Sequence, residues 1–179
     1  MPKMYAYNTS ATQIKKRYAM IGSTATQIKK KYAMIGSTAT LVYSAETQLF
    51  PSSLTFTKGG TNTAGSVSDT ALTAKASWNK TYGAISLQVD VTDFSKIIFT
   101  VSERTSTEKV GSTTVGVSDR QYPSSFDSYG DNNGVATAVT KAGTYEVDVS
   151  NLSGKKYVAL SAWTSSGDNS ITVTKIMAE

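Results

Sequence analysis

Few residues in this sequence bring together side chains able to do chemistry, and most of those lie in one segment, residues 119–134. Asp127, Asp131, Asn132 and Asn133 are hard oxygen donors of the kind that suit Ca²⁺. Their spacing does not follow an EF-hand loop, and Asn132-Asn133-Gly134 reads first as a turn, so no metal site is expected. Paired carboxylates hydrolyse glycosides when their environments set an acid apart from a base. Nothing separates any two acids here in that way, and no catalytic residue is expected. Tyr122, Phe126 and Tyr129 crowd the same polar stretch. Aromatic rings are amphipathic contact surfaces, and long loops often carry function, so these three are the candidate glycan contacts. The competing reading makes them anchors that pin the loop. Trp78 and Trp163 fall at the ends of strand-like runs and are expected in the core.

The chain has no His and no Cys. That removes disulfides, most zinc sites, Ser-His-Asp and Cys-His catalysis, and the usual proton shuttle near neutral pH. A non-enzymatic protein without cofactors is expected. No apolar run reaches the roughly 18 residues of a membrane helix, and Met1 to Tyr7 lacks the apolar stretch of a signal peptide. Synthesis in a cytoplasm is expected, with any release occurring by lysis or as part of a particle, and no membrane partner.

The elements that must position these residues divide by charge. Residues 1–45 contain Lys3, Lys15, Lys16, Arg17, Lys29, Lys30 and Lys31 and no acid; the remainder has eleven bases against thirteen acids. The net charge of +5 therefore splits into +7 and −2. Such asymmetry fits a nucleic-acid contact, with Tyr18 and Tyr32 beside the lysines. Lysine also blunts exposed sheet edges, and nucleic acid is not the expected partner.

The basic segment is a tandem repeat. Ala11 to Thr24 reads ATQIKKRYAMIGST and Ala25 to Thr38 reads ATQIKKKYAMIGST, differing only at Arg17 and Lys31. Asn8, Gly22 and Gly36 recur every 14 residues and suit the positive φ of tight hairpins. Strands near 3–7, 12–21, 26–35 and 39–45 would then form an antiparallel meander. A helical alternative puts Ile14, Tyr18 and Ile21 on one face, but each helix would span only about ten residues, which is marginal in isolation. As a strand, one side shows Thr12, Ile14, Lys16, Tyr18 and Met20, and the other Gln13, Lys15, Arg17, Ala19 and Ile21. Neither side is apolar enough to bury alone. A partner is expected to complete the arm, either another copy or a neighbouring subunit, through Ile14, Tyr18, Met20, Ile28, Tyr32 and Met34.

From about residue 46 the texture changes. Phe50-Pro51-Ser52-Ser53 and Lys58-Gly59-Gly60-Thr61-Asn62 read as loop. Ile85, Leu87, Val89 and Val91 alternate with Ser86, Gln88 and Asp90, the period of a half-buried strand. Further strands are expected over 71–78, 97–101, 109–117, 135–139, 145–149 and 155–163, and from 171 onward, where Ile171, Val173 and Lys175 share a face opposite Thr172, Thr174 and Ile176. The expected fold class is all-β. An N-terminal β-meander repeat arm, residues 1–45, precedes an antiparallel, jelly-roll-like β-sandwich, residues 46–179.

The tandem unit, with Ile14-Lys15-Lys16, Tyr18 and Ile21-Gly22, resembles short repeats in tail-associated proteins of phages and prophages of Gram-positive bacteria. Those units carry Gly-Gly where this chain has Gly22-Ser23 and Gly36-Ser37, and Ser tolerates positive φ less well. Residues 89–97, 143–150 and 170–176 resemble the C-terminal β-sandwich modules of similar phage proteins. The resemblance implies a tail-associated virion structural protein, homo-oligomeric, in contact with other virion subunits and in some cases with cell-surface carbohydrate. It supplies no catalytic residue. Two alternatives stand beside it: a carbohydrate-binding module for host-surface glycans, and a capsid decoration protein.

Overall fold

The computed structural model describes residues 17–21, 24–28, 30–35, 38–44, 46–61, 65–78, 81–107, 111–123 and 134–179. The chain divides into two units, Met1–Glu46 and Thr47–Glu179. Every regular element among the described residues is a strand.

The first unit contains β1 (Arg17–Ile21), β2 (Thr24–Ile28), β3 (Lys30–Ile35) and β4 (Thr38–Ser44). Over its described residues the repeat is therefore built of strands and not of short helices. β1 pairs β2 and β3 pairs β4, each pair an antiparallel sheet of two strands. The register repeats with the sequence. Ala19↔Thr26, Met20↔Ala25 and Ile21↔Thr24 recur as Ala33↔Thr40, Met34↔Ala39 and Ile35↔Thr38. Two residues of chain separate the paired strands, the length for which Gly-containing turns are favoured. Those residues, the expected strand near 3–7, and Ile14 lie outside the described residues. The run expected as one strand over 26–35 serves both hairpins, because β2 pairs backward and β3 pairs forward.

The second unit contains β5 (Thr47–Phe50), β6 (Thr57–Gly60), β7 (Ser66–Val67), β8 (Leu72–Ser77), β9 (Thr81–Asp90), β10 (Lys96–Ser106), β11 (Gly111–Ser118), β12 (Val135–Ala138), β13 (Gly143–Asp148), β14 (Lys155–Thr164) and β15 (Asp168–Ala178). They form two antiparallel sheets. One runs β13-β10-β15-β8-β7, with β5 also on β15; the other runs β12-β11-β14-β9-β6. From β8 onward almost every connection passes from one sheet to the other, and only β11 to β12 stays within one. β15 is central. It pairs β10 along one side; along the other it pairs β8 over Asp168–Val173 and β5 over Ile176–Ala178.

The sheets face each other across one apolar cluster. Leu72 and Ala74 of β8, Ile97 and Phe99 of β10 and Ile171 and Val173 of β15 meet Ile85 of β9, Val115 and Val117 of β11 and Val158 and Leu160 of β14, and all are fully buried. Burying one side chain of this size contributes about 1.5–3 kcal/mol, so a shared interior of this extent holds the two sheets together. The alternation expected for β15 holds only to Val173. Thr100 pairs Lys175 while Val101 pairs Val173, so Thr174 is skipped. This bulge inverts the alternation, exposing Lys175 and sealing Ile176 in the core, the reverse of the sequence expectation. Residues 57–60 also depart from expectation, forming strand β6 where two glycines suggested loop.

Two crossovers at one end of the sandwich are built alike. Asp90 Oδ1 accepts the Thr92 N–H at 3.1 Å and the Thr92 hydroxyl at 2.7 Å. Asp148 Oδ1 accepts the Ser150 N–H at 2.9 Å and the Ser150 hydroxyl at 2.6 Å. Each turn then closes with the same backbone bond, Phe94 N–H to the Val91 carbonyl and Leu152 N–H to the Val149 carbonyl. Asp followed two residues later by Ser or Thr gives the backbone a local acceptor, which ends the strand and starts the turn.

Candidate functional site

The outer face of the five-stranded sheet has an unusual composition. Strand pairing lines up Thr57, Ser86, Ala159, Gly116 and Ala136 in one row and Gly59, Ala84, Ser161, Thr114 and Ala138 in the next. Every member is small. The flanking rows carry aromatic residues: Tyr82 pairs Trp163 on one side, and Tyr157 pairs Gln88 and Ser118 on the other. Tyr82 and Gln88 are six residues apart on β9, so these rows stand about 20 Å apart at the rise of an extended strand.

The middle of this floor is covered. Ala84 and Ala159 are 2% and 1% exposed, yet neither belongs to the interior cluster between the sheets. The segment after β11 accounts for part of the cover. Asp119 pairs with Lys156 of β14, Gln121 Nε2 donates to Thr57 Oγ1 at 3.3 Å, and the Tyr122 ring lies against Gly59. β11 and β6 are separated by β14 and β9. Three strand spacings are about 14 Å, which the four residue-to-residue steps from Ser118 to Tyr122 just cover when extended. Small side chains beneath let this backbone approach the sheet. Ser86 Oγ, on the same floor, is buried and has no hydrogen-bond partner among the described residues.

Of the three sequence-predicted glycan contacts, Tyr122 is half-buried with one side on Gly59. Phe126 and Tyr129 lie outside the described residues, as do Asp127, Asp131, Asn132 and Asn133. Tyr18, Met20, Ile28, Tyr32 and Met34 are placed on β1, β2 and β3.

The tryptophans correct the sequence reading. Trp78 is not in the core; it is 80% exposed, at the end of β8, and Trp163 is half-buried on the outer face. Trp78 also holds φ at 66°. A bulky residue pays a steric cost there that glycine avoids. The conformation is braced on both sides: the Trp78 N–H donates to the Gly167 carbonyl at 2.8 Å, and its carbonyl accepts the Thr81 hydroxyl at 3.2 Å. Alternation through β8 gives the parity of position 78, and the turn that carries it out of the interior has no signal in the sequence.

Charges gather at the opposite end. Lys96 Nζ lies 3.1 Å from Glu179 Oε2 and 3.3 Å from Glu146 Oε1. The Glu179 carboxylate above all, then Glu146, raises the Lys96 ammonium above its ordinary 10.5, against a smaller opposing effect of burial. The Ser150 hydroxyl and N–H hold the Asp148 carboxyl below its ordinary 3.8. Ser95, Lys96, Glu146, Asp148 and Ser150 line a shallow cavity of about 450 Å³. Asp148 is occupied as a turn acceptor and Lys96 as an ion-pair partner, which is structural work. Among the described residues no group of three or more His, Cys, Asp or Glu is placed to hold a metal ion, and no helix is long and apolar enough to cross a membrane.

No protein-family model matches this sequence, and neither does any curated protein.

Proposed function

We propose that this chain is a non-enzymatic, tail-associated virion structural protein. Its 14-residue repeat is the assembly element and a jelly roll is its exposed body. The observation that carries this reading is the pair of hairpins, each a sheet of two strands among the described residues, whose registers match from Tyr18 and Tyr32 to the turn and differ only by a shift at Lys31. An isolated two-stranded hairpin is marginal in water, and its edges carry unpaired backbone groups that template further pairing. A repeated hairpin is stable when strands from another copy or a neighbouring subunit extend it. Ile14, Tyr18, Met20, Ile28, Tyr32 and Met34 are then its contact residues, by their positions in the repeat.

The strand order supports the jelly-roll reading of the body. Strands β8 to β15 distribute as β13-β10-β15-β8 and β12-β11-β14-β9, the interleaving of an eight-stranded double Greek key. Folds of this class serve in viral capsids and in lectins, so the fold admits the role without fixing it. Light scattering coupled to size exclusion tests the reading. The full chain should elute as a homo-oligomer, and deletion of residues 11–38 should give a monomer with the same sandwich circular dichroism. A monomeric full chain would overturn it.

A further inference from the structure

Trp78 combines exposure with a strained, braced backbone. Alternation along β8 buries Leu72, Ala74 and Ala76, so the next position of that parity would carry a large ring into the interior. Instead the chain takes a positive φ and presents the ring to solvent. Strain of this kind persists only where surrounding structure enforces it. Here the Gly167 carbonyl and the Thr81 hydroxyl do so, and Thr81 Oγ1 also lies 2.7 Å from the Ser77 carbonyl.

The neighbourhood of the ring indicates what it would receive. Ser77, the preceding residue, pairs Asp168 across the sheet, and the Asp168 carboxylate is 49% exposed, 3.9 Å from Lys75 Nζ. The Asp168 N–H is taken by the Thr107 hydroxyl at 2.9 Å, which fixes the backbone that carries the carboxylate. At this same end of the sheets, Tyr82 and Trp163 form a half-buried cross-strand pair on the outer face. Within the described residues of the second unit, the other exposed large apolar residues are Leu54 and Val67, and both line a separate cavity with Phe50 and Phe56. A membrane-inserting or protein-docking surface needs a contiguous apolar patch. A single exposed ring at the end of a strand whose pairing brings in Ser77, Asp168, Lys75 and Thr107 fits a ligand with one apolar face and a rim of hydroxyls.

We propose that the Trp78 end of the sandwich is a saccharide-binding site. The Trp78 indole is the stacking platform, Asp168 and Lys75 are the hydroxyl-binding partners, and the Tyr82–Trp163 pair extends the platform for a longer oligosaccharide. All of its residues belong to the second unit.

The test uses the full chain and an array of purified neutral and acidic oligosaccharides, followed by tryptophan fluorescence titration with the glycans that bind. Binding should shift the tryptophan emission. Trp78→Gly and Trp78→Ala should each weaken binding at least tenfold, Trp78→Phe less, and Asp168→Asn severalfold. Trp78→Gly is the cleanest variant, because glycine relieves the positive φ: its melting temperature should equal or exceed that of the parent, which separates lost binding from lost folding. Three results would overturn the proposal: no glycan on the array bound, glycan binding unchanged in Trp78→Gly, or Trp78-dependent binding to phosphatidylcholine–phosphatidylglycerol vesicles in place of glycans.

Discussion

The ring of Tyr122 occupies the space that a side chain on Gly59 would need. A Cβ at Gly59 would lie 2.5 Å from Tyr122 Cδ2. Gly59 is thus the seat of Tyr122, and through it the root of the segment after β11 is fastened to the far edge of the sheet. Gly59→Ala should destabilise the sandwich by about 1–3 kcal/mol through overpacking. In a Tyr122→Ala background the same change should cost much less, so a denaturation double-mutant cycle should show clear non-additivity. Additive effects would mean that the two residues act separately.

A second close approach ties the sheets at the Trp78 end. Asn169 is fully buried, its Nδ2 donates to the Trp163 carbonyl at 2.8 Å, and its side chain fills the space beside Gly111, where a Cβ would come within 1.8 Å of Nδ2. Gly111→Ala should displace Asn169, breaking that bond and leaving the buried Asn169 amide without its acceptor. The expected cost is about 1–3 kcal/mol in urea unfolding. Asn169 Oδ1 has no partner among the described residues, so removing the whole amide should cost little more than losing the donor.

The bulge at Thr174 sets which of two neighbours is core. Ile176→Ala should cost about 2–5 kcal/mol, the range for a buried aliphatic cut to alanine, whereas Lys175→Ala should stay within about 0.5 kcal/mol. Equal effects from both would contradict the register.

Two charged groups give stability opposite pH limits. Asp148 has a depressed pKa in the folded chain, so its contribution is present above the ordinary 3.8 and is lost as pH falls through the lower folded value. Lys96 has a raised pKa, so its contribution is complete below 10.5 and is lost as pH rises through the higher folded value. Asp148→Asn should flatten the acid limb of a melting-temperature profile and Lys96→Met the alkaline limb, with each leaving the other limb unchanged. Both groups are solvent-screened, and the effects should shrink in high salt.

Much of the architecture was legible because it rests on local signals. The alternation in 84–91 and 155–163 marks β9 and β14. The 14-residue repeat appears directly as repeated register in β1–β4. What escaped depends on contacts distant in sequence. Gly59-Gly60 looks like a loop until Tyr122 is placed on it; a glycine inside a strand pattern does signal a close approach, but not of what. The skipped Thr174 is invisible without its partners on β10. Trp78 is exposed because of a turn held by Gly167 and Thr81, neither of which is predictable from the composition of β8.

Backbone hydrogen exchange across the repeat strands tests the central claim most directly. If strands from other subunits complete the hairpins, amides of β1 to β4 should be protected at high protein concentration and lose protection on dilution, while those of β14 and β15 stay protected throughout. Equal protection of β1 to β4 at every concentration, in a particle of monomer mass, would show that the repeat is completed within its own chain and would contradict the account.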